Sequence, residues 1–506
     1  MRASILFRIT GRARALGALV VVVAACSKPA PPTPTGPPPN VVVIVLDTAR
    51  PDYLSAYGYP KPTSPFLEEF ARAGTRFDRA YSVSGWTLPA HASLFSGLMP
   101  DVHGANQKNK KICDAAPMLA ERLSRAGYQT AGFSNNPWVS VKTGLARGFQ
   151  TFLEKLNRRG KREDRLFGGK LAHPTVAAVN KWFESDRVKT QPYFLFVNLI
   201  EPHLPYKPPF DAAQPFFATE KELNEAIYSL FPDGKASSLQ NRHYARKEPL
   251  SEAEWGTLRR LYEGDLRFTD VITRAILGTV DRESDPANTL VFIVSDHGEN
   301  LGEHGHISHI FNLYESNLRI VCLARGPGFE AGAVRKDLVQ IHDLYPTIVR
   351  AARLEPEKSC AGVDMLGERP KSRTLRAMLD YPQVSLDTFP AEMRESGVLA
   401  AYERELLSAV TADFKAIQGS DGVLEAFDLS IDPLELHALA GPLPPTRAAM
   451  KEALARALGP MLCTITAGPE FDAETHKELQ ALGYAGDDDA GASDANDAQK
   501  PKSDDE

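Results

Sequence analysis

Two carboxylates, an imidazole and a hydroxyl stand at points in this chain where their types and settings suit hydrolytic chemistry. The apolar run 41–46 (VVVIVL) leads into Asp47, and the run 290–294 (LVFIV) leads through Ser295 into Asp296-His297-Gly298-Glu299. A third run, 193–200 (YFLFVNLI), ends in Glu201-Pro202-His203. One Asp after a strand is an ordinary cap or turn former. Three such ends in one parallel sheet converge on one crevice, because ligands sit outside the carboxyl ends of the strands. Asp47, Asp296 and His297 offer two hard oxygens and one nitrogen, a set that suits a divalent Zn or Mn ion first and Ca second. The segment 84–97 (SGWTLPAHASLFSG) supplies a nucleophile. Pro89 marks a first helical turn and Gly97 a stop, so Thr87 falls at a helix N-terminus. Free N–H groups and the helix dipole there favour an alkoxide and an anionic substrate. A cation on the Thr87 oxygen would lower its pKa as it does for bound water. A plain N-cap is the simpler role for Thr87.

The elements that must position these groups follow from periodicity. Continuous β-branched runs read as strands buried on both faces, and 320–323 (IVCL) is a fourth candidate. Helical patterns at 65–73, 118–126 and 255–280 alternate with them, the signature of an α/β fold with a mostly parallel central sheet flanked by helices. Residues 41–350 read as the catalytic domain. Short turn-broken runs at 414–440, with a helix near 445–458, suggest a small antiparallel sheet in a C-terminal subdomain, 351–470. Residues 471–506 form an acidic tail, and the stretch beyond Tyr484 (GDDDAGASDANDAQKPKSDDE) has no aromatic residue to build a core, so disorder is expected.

Residues 1–25 read as a signal peptide: Arg2, Arg8, Arg12 and Arg14 precede a short apolar run ending Val23-Ala24-Ala25-Cys26. That ending resembles a bacterial lipobox, which implies lipidation of Cys26. The Pro-rich stretch 26–40 is then an extended spacer, and Ser27 resembles outer-membrane sorting. The expected location is the cell envelope, lipid-anchored, facing the periplasm or the cell surface. The chain of 506 residues has a net charge of −6, which gives no basic face for nucleic acid. Five cysteines without a CxxC pair exclude a thiolate zinc site, and Cys113, Cys322, Cys360 and Cys463 leave room for one disulfide.

Five motifs in order carry a resemblance. VVVIVLDTARPDYLSAYGY, WTLPAHASLFSG, FVNLIEPHLPY, VSDHGENLGEHG and AFDLSIDPLE together resemble the sulfatase family of the alkaline phosphatase superfamily, over about residues 40–441. The resemblance implies metal ligation by Asp47, Asp296 and His297, a nucleophile at Thr87, and a histidine at His203 near the leaving group. His91 stands at the family's arginine position, and His309 at its distal lysine. The family's Gly-Lys-Trp-His stretch falls on Gly132-Phe133-Ser134-Asn135, so its Lys and His are gone and Asn135 or Asn136 is left as a neutral contact to the transferred group.

The departures bear on substrate. Thr87 replaces the Cys or Ser that becomes formylglycine, and Thr48 replaces a second Asp. A sulfated formylglycine hydrate expels sulfate by itself, whereas a Thr ester must be cleaved by water. A Thr nucleophile implies phosphoryl or phosphonate chemistry at least as readily as sulfuryl. The expected activity is metal-dependent hydrolysis of sulfate, phosphate or phosphonate esters. The alternatives are a phospho-group transferase acting on envelope glycans or lipids, and an inactive binding lipoprotein of the same fold. Glu299 and Glu303 are expected to support the ligands or to lie at the surface, and His304 and His306 to lie in a solvated loop. Residues 158–247 carry no readable motif and are a candidate substrate lid.

Overall fold

The computed structural model describes residues 36–155, 166–167, 170–171, 173–245, 249–370, 372–443, 445–455, 461–465 and 468–485. The signal peptide, Cys26, most of the Pro-rich stretch, the basic segment 156–165 and the tail beyond 485 lie outside the described residues.

An eight-stranded sheet organises residues 38–485. Its order is Ala333–Arg335, Thr75–Phe77, Cys322–Arg325, Thr289–Val294, Asn40–Leu46, Tyr193–Leu199, Gln129–Ser134 and Thr151–Glu154. The last five run parallel, with Val45 opposite Asn198 and Val294. Cys322–Arg325 runs antiparallel to its neighbours. The central strand is buried on both faces, as its unbroken apolar run requires. Val42, Ile44 and Leu46 enter one core, and Val41, Val43 and Val45 enter the other. The mostly parallel α/β reading therefore holds.

Helices Pro65–Ala73, Leu119–Arg125 and Glu252–Glu283 match the periodic segments. The long helix begins on a capping box in which Ser251 and Glu254 satisfy each other's backbone N–H groups. The strand expected at 320–323 is broken. Arg319–Ile320 pairs with Ala80–Tyr81, while Cys322–Arg325 joins the main sheet. The Ser295 hydroxyl takes the Val321 N–H at 2.9 Å, which ends one ladder before the other begins.

The C-terminal sheet is antiparallel, in the order Leu375–Leu379, Leu406–Val410, Phe414–Gly419, Leu424–Asp428, and the helix Ala448–Ala455 follows. Lys415 fixes this sheet to the main body, its buried ammonium lying 3.1 Å from Glu315 and 3.0 Å from Glu435. Removing one member of a buried ionic set strands the others. Lys415→Met is accordingly expected to cost about 3–5 kcal/mol in urea unfolding; a loss below roughly 1 kcal/mol, the scale of an exposed pair, would contradict this role.

One boundary needs correction. The segment 471–485, assigned to a disordered tail, is ordered. Ala473–Ala481 is a helix capped by Asp472, whose carboxylate accepts the Thr475 N–H at 2.8 Å. Leu479 and Ala485 pack into the core beside Trp138. The acidic run that follows had masked the apolar spacing of LQALGYA. A disulfide joins Cys113 to Cys463 just upstream, while Cys322 and Cys360 carry none.

Candidate active site

The parallel strands deliver their polar ends to one point. Asp47 follows Asn40–Leu46, Asp296-His297 follows Thr289–Val294, and Asn136 follows Gln129–Ser134. Thr87 is the first residue of the helix Thr87–Ser96, which is entered through extended Trp86 and ended by left-handed Gly97. Asp47, Thr87, Asp296 and His297 have no solvent exposure.

One carboxylate oxygen of Asp47, one of Asp296 and a ring nitrogen of His297 lie within 4.8 Å of one another. Asp47 Oδ2 accepts from Asn136 Nδ2 at 2.7 Å and from Asn198 Nδ2 at 3.3 Å. Asp296 Oδ1 accepts from the Thr48 and His297 backbone N–H groups at 3.2 and 2.9 Å. Asp47 Oδ1 and Asp296 Oδ2, both buried, have no hydrogen-bond donor. His297 Nδ1 lies 2.9 Å from the Gly298 carbonyl, which can only accept, so Nδ1 carries the proton and the Nε2 lone pair faces inward. Thr87 Oγ1 sits 3.2 Å from that Nε2. Two buried carboxylates, an imidazole lone pair and a neighbouring hydroxyl are donor types that could hold a divalent cation with bonds of about 2 Å.

The electrostatics point the same way. Burial, then the neighbouring Asp296, pushes the Asp47 carboxyl well above the ordinary range, and burial also raises Asp296. Burial drives His297 down. A bound cation would reverse the cost of holding these carboxylates ionised.

The other expected residues divide. His203 and His309 are fully buried and meet edge-on, with ring centroids 5.0 Å apart. Burial, with His297 nearby, holds His309 well below the usual imidazole range. His309 Nδ1 lies 3.0 Å from Glu299, whose carboxyl burial pushes up to about 8. His91 does not reach the Thr87 hydroxyl by a hydrogen bond. Its Nδ1 instead donates to the Thr87 carbonyl at 2.9 Å and lies 3.6 Å from Asp296, so it supports the helix start and stays neutral, with its pKa lowered to about 3 by burial. Asn136 contacts the centre, with Nδ2 at 3.4 Å from Thr87 Oγ1. Asn135 Nδ2 donates to Thr175 at 2.8 Å. Glu303 pairs with Arg50 at 2.8 Å, and Arg50 in turn donates to the Glu299 carbonyl at 2.9 Å. His304 stacks on Tyr314 at 3.7 Å, and His306 is buried rather than solvated.

Asn198 and Tyr484 escaped the sequence reading, and Thr48 stood there only as a replacement for a second Asp. Asn198 was legible as a polar residue inside an otherwise apolar strand. Thr48 adopts a left-handed φ of 57°, uncommon for a β-branched residue, and this directs its N–H to Asp296. Tyr484 arrives from the C-terminal segment, its hydroxyl 2.8 Å from His203 Nε2, 2.9 Å from His309 Nε2 and 3.5 Å from Thr87 Oγ1.

Gly298 has a steric reason. A Cβ there would meet the Ser316 carbonyl oxygen at 2.0 Å, a contact with backbone that cannot swing away. Gly298→Ala is expected to cost about 1–3 kcal/mol or more by thermal unfolding. Wild-type stability in that variant would contradict the close approach.

Residues 39–354 match the sulfatase family model, more than half of the chain. The chain belongs to the sulfatase family. Among curated relatives of this sulfatase-family chain, arylsulfatase K of Bos taurus is 23% identical over 446 residues, covering 82% of this chain and 81% of the relative. A solved phosphonate monoester hydrolase of Agrobacterium radiobacter superposes with a TM-score of 0.60 at 18% identity, covering 81% of this chain and 93% of its own. A structure solved with its substrate D-glucosamine-2-N,6-O-disulfate gives a TM-score of 0.62 at 19% identity, covering 82% and 96%. These structural likenesses establish the fold.

Proposed function

We propose that this protein hydrolyses sulfate, phosphate or phosphonate esters, with Thr87 as nucleophile beside a divalent metal held by Asp47, Thr87, Asp296 and His297. The observation that carries the reading is the buried cluster in which one oxygen of Asp47, one of Asp296 and a ring nitrogen of His297 lie within 4.8 Å of one another, with His297 Nε2 3.2 Å from Thr87 Oγ1. When bound, a divalent ion there would act as a Lewis acid and favour the ionised Thr87 oxygen. Zn or Mn fits the mixed oxygen and nitrogen donors better than Ca.

The chain's own groups account for the remaining chemistry. Thr87 Oγ attacks phosphorus or sulfur, the new Oγ–P or Oγ–S bond forms, and the ester oxygen leaves with its electron pair. His203 and His309 aim their Nε2 atoms at one point 3.5 Å from Thr87 Oγ1, marked by the Tyr484 hydroxyl, where an imidazole N–H can protonate the leaving alkoxide. Asn136 Nδ2, 3.4 Å from Thr87 Oγ1, faces the charge on the transferred group. Water then cleaves the Thr87 ester, one imidazole taking its proton. The absence of a Cys or Ser at position 87 favours phosphoryl and phosphonate esters within this set.

The test is a panel of p-nitrophenyl phosphate, phenylphosphonate, phosphodiester and sulfate with purified, metal-analysed protein. Turnover of at least one ester, with stoichiometric metal, is expected. No turnover of any ester by metal-loaded protein would overturn the reading in favour of a binding role.

The envelope location is also a proposal, resting on Arg2, Arg8, Arg12, Arg14 and the Val23-Ala24-Ala25-Cys26 sequence. No helix among the described residues is long and apolar enough to cross a membrane. Cys26→Ser is expected to move the mature domain from the membrane fraction to the soluble one.

A further inference from the structure

The reacting groups are sealed. Thr87, Asp47, Asp296, His297, His203 and His309 each show 0% exposure, yet ester hydrolysis requires both ester and water to reach Thr87. Segment 468–485 stands over them. Its Tyr484 hydroxyl makes hydrogen bonds of 2.8 and 2.9 Å to the two imidazoles and lies 3.5 Å from Thr87 Oγ1. An ester oxygen placed for attack by Thr87 and protonation by His203 or His309 needs that same volume.

Two cavities flank the helix Ala473–Ala481. One, of about 250 Å³, is lined by Trp86 and Trp138 and by Phe471, His476, Leu479 and Tyr484 of the segment. The other, of about 280 Å³, is lined by Pro137 and Lys207 and by Lys477, Ala481 and Leu482 on the opposite side of the same helix. Lifting the helix would merge them into one cleft running to Thr87. The segment is held by Leu479 and Ala485 in the core, by Phe471 against Trp138, and by polar ties from Lys142 and Lys155. Asp472 pairs with Lys142 at 3.3 Å and Lys155 at 3.6 Å near the surface, where ion pairs contribute little. Gly483, at a left-handed φ of 85°, turns the chain between the helix and Tyr484. The Cys113–Cys463 disulfide would keep an opened segment attached to the body.

We propose that residues 468–485 form a gate over the Thr87 centre, latched by the Tyr484 hydroxyl in the place of an ester oxygen and displaced when a tetrahedral oxoanion group enters. The proposal rests on the reading of Thr87 given above. It makes Tyr484 a competitor of the substrate. Removing the phenol oxygen while keeping the ring weakens the latch and preserves the packing against Trp138.

The test is hydrogen exchange and binding on the full chain with its disulfide intact, using orthovanadate as the probe. Vanadate is expected to speed exchange of the peptide spanning 473–485. Tyr484→Phe, which removes hydrogen bonds each worth a modest net amount, is expected to bind vanadate roughly threefold to tenfold more tightly than wild type. Slower or unchanged exchange on binding, weaker binding by Tyr484→Phe, or no binding by either protein would overturn the gate. Undiminished ester turnover by Thr87→Ala would instead overturn the nucleophile assignment and leave the exchange result standing.

Discussion

Thr87→Ala is expected to lower kcat/KM for the best ester by about 10⁴-fold or more, the scale on which covalent catalysis fails when its nucleophile is removed. Asp47, Asp296, His297 and Asn136 remain, so metal content and anion affinity should change far less than turnover. Thr87→Ser keeps the hydroxyl at the first residue of the helix and should retain measurable activity. Steady-state kinetics with saturating metal separates the outcomes. A Thr87→Ala enzyme within tenfold of wild type would mean that water attacks the ester directly and that Thr87 is only a helix-start residue.

The second large effect concerns the carboxylates. Asp47 and Asp296 are buried, raised in pKa chiefly by burial, and each leaves one oxygen without a donor. Two buried carboxylates facing each other destabilise the metal-free protein, and an ion between them stabilises it by mass action. Asp296→Asn is therefore expected to have opposite effects in the two states. It should abolish stoichiometric metal by elemental analysis and turnover with it, and it should raise the thermal midpoint of the chelator-treated protein relative to chelator-treated wild type. In wild type, returning Zn or Mn should raise the midpoint with added metal, and in Asp296→Asn it should not. Equal metal content in the two proteins would remove Asp296 from the ligand set. A lower apo midpoint in Asp296→Asn would show that the pair is not a strained, cation-seeking arrangement.

The parts of this architecture that rest on local periodicity were open to reading from sequence. The run VVVIVL could only be a doubly buried strand, and its Asp47 had to emerge at the carboxyl edge where Asp296-His297 also emerges. Pro89 and Gly97 bracketed the Thr87 helix because one fits a first turn and the other a left-handed stop. Long-range choices were not legible. Which of two adjacent asparagines turns inward depends on partners far away in sequence: Asn136 finds Asp47, whereas Asn135 finds Thr175. His91 stands at the family's arginine position, but one helical turn places its Nδ1 on the Thr87 carbonyl. Tyr484 was hidden because composition was averaged over a tail whose first residues are amphipathic and whose later ones are acidic. Five ordered motifs located the centre, yet none of them contains the residue that covers it.

The most direct test is peptide mass spectrometry of protein acid-quenched during turnover of the best phosphate or phosphonate ester. The account predicts a phosphoryl or phosphonyl group on the peptide carrying Thr87, formed within the first turnover and absent from Thr87→Ala. A fully active enzyme with no adduct on that peptide, or with the group on a histidine such as His309, would contradict it.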